Sequence, residues 1–78
     1  MWARPQEQKQ VGKQLAAVRR RAGMTQAEVA RQLGKPQSFV SSYENGQRRI
    51  DLIEFMRISR ALKADPLKVF QLIVRVRT

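Results

Sequence analysis

Seventy-eight residues allow one small domain, and sixteen Lys and Arg against six Asp and Glu leave a net charge of +10, a balance that favours a polyanionic partner, nucleic acid ahead of an anionic membrane. With neither cysteine nor histidine there is no disulfide framework, no Cys-based metal site and no histidine proton shuttle, so no metal, cofactor or catalytic residue is expected. The most apolar segment, Leu67 to Val76, is interrupted by Lys68, Gln71 and Arg75 and falls short of the roughly 18 residues a membrane span needs.

Trp2 to Gln10 is basic and rich in Gln, and residues 1–6 are expected to form a flexible N-terminal arm. No secretory signal is visible in the polar start, so a reducing cytoplasmic setting is expected. Val11, Leu15, Val18 and Ala22 recur at helical spacing and predict a first helix from about Glu7 to Ala22, ended by Gly23. Thr25 followed three residues later by Glu28 is a capping box, because each side chain can satisfy the other residue's free amide. A second helix therefore runs from Gln26 to Leu33, with Val29, Ala30 and Leu33 on its apolar face and Gly34 at its end.

The third helix, about Gln37 to Glu44, buries Val40 and Tyr43 and is stopped by Asn45-Gly46. Its outward residues, Gln37, Ser38, Ser41 and Ser42, are short or amide-bearing and uncharged, the kind that hydrogen-bond base edges. Asp51 with Glu54 caps a fourth helix, Leu52 to Leu62, which carries Leu52, Phe55, Ile58 and Leu62 inward. Asp65-Pro66 starts a fifth, since Asp caps and Pro needs no amide partner in the first turn. This helix extends through Val74, leaving residues 75–78 frayed, although the β-branched run Leu72 to Arg77 also permits a short strand.

The expected fold is an all-α five-helix bundle occupying residues 7–74. Its core would draw on Leu15, Val18, Met24, Val29, Leu33, Val40, Tyr43, Leu52, Phe55, Ile58, Leu62 and Phe70. Two short helices hinged at a glycine are the layout of a helix-turn-helix. From about Leu15 to Phe70 the chain resembles the Cro and phage-repressor (XRE-type) group of DNA-binding regulators. Thr25-Gln-Ala-Glu-Val-Ala opens the motif, and Glu44-Asn-Gly closes its reading helix at the matching distance. Restriction-modification controller proteins, similar in size and architecture, belong to the same class.

That resemblance implies a lambda-repressor-like fold and double-stranded DNA as partner. It points to base contacts from Gln37, Ser38 and Ser42, and to phosphate contacts from Gln26 at the start of the second helix. Lys35, Arg48 and Arg49 flank the reading helix and, with Ser41, complete the candidate phosphate set. Arg19 aligns with a family position that pairs internally with the Glu of Glu-Asn-Gly, here Glu44. Two positions depart from the pattern: relatives commonly carry Ser or Thr at Pro36 and Gly at Lys63. Pro36 alters the cap of the reading helix and opens a second register for Gln37.

Ile53, Met56, Leu72, Ile73 and Val76 exceed what so small a core needs. They suggest a homodimer interface, since a two-fold operator requires two reading helices about 34 Å apart. The expected function is therefore transcriptional regulation, as a repressor at a short palindrome. The competing reading is an antitoxin-type module that neutralises a partner protein through its C-terminal apolar segment and binds DNA secondarily.

Overall fold

Each of the three central helices begins where a side chain or a proline ends the preceding loop. The computed structural model describes residues 5–75. Its five helices are α1 (Pro5–Arg21), α2 (Gln26–Leu33), α3 (Gln37–Glu44), α4 (Leu52–Ala61) and α5 (Pro66–Arg75), with no strand among the described residues.

Reciprocal capping boxes open α2 at Thr25 and Glu28 and α4 at Asp51 and Glu54, offsetting amides that a helix start leaves without partners. Asp65 caps α5 by accepting from the Leu67 amide at 2.9 Å. Gly34 closes α2 in the left-handed region at φ 67°. Lys63 takes the same conformation, φ 57°, after α4. The turn into α5 is thus built with a residue that pays sterically for a geometry glycine adopts freely.

Helix α3 packs on α1 and α2, α4 on α2, and α5 on both α1 and α4. The core they enclose consists of Leu15, Val18, Val29, Ala30, Val40, Tyr43, Phe55, Ile58, Leu62 and Val69, with Met24 and Leu33 packed at its margin. Ser59 is wholly buried in α4, and its hydroxyl donates to the Phe55 carbonyl at 2.9 Å, which removes the cost of an unpaired polar group.

Several expectations need correction. Leu52 is 71% exposed and Phe70 55% exposed, so neither is a core residue. Leu52 opens the first turn of α4, one turn ahead of Phe55, where the helix first meets the core. In α5 the inward stripe is Val69 with half-buried Leu72 and Ile73, one position away from the expected one. Apolar residues lie on nearly every side of this helix, so its periodicity alone does not select a face. Helix α1 begins at Pro5 rather than Glu7, which puts Pro5 and Gln6 in the helix instead of the arm, and Arg75 is helical rather than frayed. Residues 72–75 are helix, not strand.

Candidate nucleic-acid interface

The α2–turn–α3 unit rests on an ionic anchor from the last turn of α1. Arg19 Nε donates to Glu44 Oε2 at 2.7 Å, its Nη2 to Glu44 Oε1 at 3.1 Å, and its Nη1 to the Met24 carbonyl at 2.9 Å. Only 12% of the Arg19 side chain and 6% of the Glu44 side chain remain accessible. The bond to Glu44 raises the Arg19 pKa above its ordinary value, against the opposing effect of burial. Burial likewise pushes the neighbouring Tyr43 phenol up.

From this pair a relay of side chains runs to the surface. Gln26 Nε2 donates to Glu44 Oε1 at 2.9 Å, and Gln37 Nε2 donates to Gln26 Oε1 at 3.3 Å. Its polarity has one origin. An ionised carboxylate only accepts, so Glu44 draws the NH2 end of Gln26 and turns the Gln26 oxygen toward Gln37. Gln37 therefore meets Gln26 through its own NH2, keeping its carbonyl oxygen and one N–H for another partner. Gln26 likewise keeps one N–H. This geometry answers the question raised by Pro36, which adopts an extended conformation and supplies no side-chain cap, so that α3 starts at Gln37 with its side chain directed toward α2.

Ser38 is exposed, while Ser41 and Ser42 are half-buried on the same outward side of α3. The Ser41 hydroxyl accepts from Asn45 Nδ2 at 3.4 Å, and the Ser42 carbonyl accepts the amides of Gln47 and Arg48, tightening the end of the helix. Gly46 turns the chain at φ 75°. It also lies against α1, where a Cβ would fall 2.7 Å from Lys9 Cγ.

All three flanking cations contact other side chains of the protein. Arg48 lies 4.7 Å from the Phe39 ring centroid and ion-pairs with Glu54 at 2.5 Å. Arg49 Nε donates to Gln8 Oε1 at 2.8 Å, while Gln8 Nε2 donates to the Gly46 carbonyl at 3.0 Å. Lys35 Nζ is 5.6 Å from the same Phe39 ring. These surface contacts are each worth about 1 kcal/mol or less and hold the cations beside α3. Sequence reading missed Gln8 and Phe39. Gln8 is separated from Arg49 by 41 residues, and no local spacing signals such a contact.

The expected dimer residues do not form one exposed surface. Ile53 is exposed, but Met56, Leu72 and Ile73 are half-buried, with Leu72 and Ile73 packed against the core. Val76 lies outside the described residues. The exposed large apolar side chains are instead Leu52 and Ile53 on α4 and Leu67, Phe70 and Val74 on α5. No described helix is long and apolar enough to cross a membrane.

Comparison with known proteins agrees with this layout. The helix-turn-helix family model matches residues 15–69. An XRE-family like protein from Pseudomonas syringae pv. tomato str. DC3000 is 41% identical, with 87% of this chain and 83% of that one covered and a TM-score of 0.79. The restriction-modification controller protein C.AhdI from Aeromonas hydrophila is 27% identical over 85% of this chain and 96% of its own, with a TM-score of 0.78. The clp gene regulator ClgR from C. glutamicum, 20% identical over 87% and 88% of the two chains, shares the fold with a TM-score of 0.82. No curated protein sequence matches the chain.

Proposed function

We infer that the chain, which belongs to the XRE-type helix-turn-helix family of DNA-binding transcriptional regulators, is a repressor that reads a short palindromic operator in double-stranded DNA as a homodimer. The observation that carries this reading is the relay from Arg19 through Glu44 and Gln26 to Gln37. It leaves the first outward side chain of α3 with one donor and one acceptor, the pair that suits adenine N7 and N6 in the major groove. Ser38 and Ser42 extend the base-reading face. The remaining Gln26 N–H, at the N-terminus of α2, suits a phosphate oxygen, and Ser41, Lys35, Arg48 and Arg49 supply further phosphate contacts.

Homodimerisation is supported by the stripe of Leu67, Phe70 and Val74, spaced i, i+3, i+7 along α5 and more than half exposed at each position. A two-fold contact covers such a stripe with its own copy and spaces two reading helices for one operator. Repression follows from occlusion of the promoter, which needs no additional surface.

Selection of sites from a random duplex library tests the reading, with a two-fold symmetric motif as the expected product. Enrichment of no motif, with equal affinity for single strands, overturns it. On the selected site Gln37→Ala should cost about 1 to 3 kcal/mol and relax preference at one base position. Phe70→Asp should yield a folded monomer that loses affinity for the full operator far more than for a half-site. A wild-type chain that sediments as a monomer, both free and on DNA, would favour the antitoxin reading, with the α5 stripe serving a different protein.

A further inference from the structure

A basic groove lies between the N-terminal half of α1 and the end of α3, adjoining the Gln26 relay at Glu44. It has a volume of 370 Å³ and is lined by Gln6, Lys9, Gln10, Lys13, Glu44 and Asn45. The four α1 residues follow i, i+3, i+4, i+7 spacing and so share one face of that helix. Lys9 and Lys13 are exposed, and neither has an acidic partner among the described residues. Glu44 contributes to the wall, but both of its carboxylate oxygens are engaged by Arg19 and Gln26. Asn45 joins this groove to the reading face, because its side chain donates to Ser41 on the outward side of α3.

We propose that Lys9 and Lys13, assisted by the amides of Gln6, Gln10 and Asn45, bind a phosphodiester of the duplex at the C-terminal end of the reading helix. The proposal rests on the DNA-binding reading above and adds a second clamp to it. Gln26 and the start of α2 hold the backbone at one end of α3, and the α1 groove holds it at the other. A contact from α1, added to those of Gln26, Ser41, Lys35, Arg48 and Arg49, further constrains the angle at which α3 enters the major groove. The groove is braced for this task. Gly12, between the two lysines, lies so close to the Tyr43 and Glu44 carbonyls that no Cβ fits there, and Gln8 is bonded to Gly46 on the adjoining loop.

The bland alternative is that the lysines only complement the negative end of the α3 dipole. Binding of the selected duplex, measured across a range of salt concentrations, separates the two roles. Lys9→Ala combined with Lys13→Ala should flatten the slope of log K against log salt by about 0.9 for each phosphate lost per subunit, with the melting temperature unchanged. The charge-matched control, Arg57→Ala with Arg60→Ala on α4, should leave the slope at its wild-type value. A methylphosphonate placed at each phosphate in turn should weaken the wild type at one position where the Lys9/Lys13 variant is indifferent.

Equal slopes for the variant and the wild type, equal flattening by both double variants, or a lower melting temperature with an unchanged slope would each overturn the clamp while leaving sequence-specific DNA binding intact. Failure of the wild type to retain any selected duplex would overturn the DNA-binding reading, and the clamp with it.

Discussion

The α2–α3 unit and the α4–α5 pair begin from equally strong local signals but are specified in different ways. Both contain a complete capping box. In the first unit the apolar residues fall on one narrow face, and the polar residues are tied in series to a buried ion pair. In the second, α5 is apolar on several sides, and only contact with α1 and α4 selects Val69 for the core over Phe70. A reading surface needs side chains held in one orientation, whereas an association surface needs only that enough apolar area stays outside. The difference in specification follows the difference between the tasks proposed for them.

The widest gap between the regions should appear when the anchor of the reading unit is removed. Arg19→Ala strands the Glu44 carboxylate in a nearly closed setting and should lower stability by about 3 to 5 kcal/mol, whereas Arg20→Ala and Arg21→Ala, at exposed positions, should change it little. Thermal unfolding of the three variants decides the matter, and equal melting temperatures would remove the anchor from the comparison.

Gly12→Ala follows. Helix propensity alone predicts a gain of about 1 kcal/mol, yet the added methyl would strike the Tyr43 and Glu44 carbonyls. Because backbone atoms yield less readily than side chains, a net loss of about 3 kcal/mol is expected. A stabilised variant would show that α1 and α3 are not in close contact at this point.

Within α5 the comparison sharpens to adjacent residues. Val69→Ala should cost about 2 kcal/mol through lost burial and the cavity left behind. Phe70→Ala, which forfeits mainly an edge-on contact with Phe55 at 6.4 Å between centroids, should cost about 1 kcal/mol or less in the monomer. Denaturant unfolding at low protein concentration measures both, and a larger loss at Phe70 would restore it to the core.

Lys63→Gly tests the junction of α4 and α5. Relief of a left-handed lysine should raise stability by about 1 kcal/mol, net of the added freedom of the unfolded chain. A lower melting temperature would show that the Lys63 side chain compensates for the strain.

The smallest effect belongs to the cap of α2. Bonds from Thr25 hold the Glu28 pKa below its ordinary value, so the ionised carboxylate favours the folded state. That contribution is present at neutral pH, above the unfolded-state pKa, and fades as pH falls through the depressed folded-state value. The stability difference between wild type and Glu28→Gln should therefore shrink on acidification, and a difference independent of pH would dissociate the cap from ionisation.

How far the chain could be read without its fold depends on the range of the interactions concerned. Capping boxes, the left-handed glycines after α1 and α2, and the apolar stripes of the first four helices are set by contacts within a few residues. They made all five helices and the helix-turn-helix legible in the sequence alone. Leu52 was misplaced because helical spacing continues into a first turn that the core does not reach, and Phe70 because a helix greasy on several sides has no unique inward face.

Tertiary structure decided what depends on residues far apart in the chain. The seat of Gln37 on Gln26 and Glu44, the bond between Gln8 and Arg49, and the groove that Lys9 and Lys13 share with Asn45 all join separate helices or a helix and a distant loop. Polar side chains reach across such gaps only after the core has fixed the helices in position. Amino-acid order therefore determined which segments are helical and which motif they form, while packing determined which polar groups meet on the outward face of the helix-turn-helix.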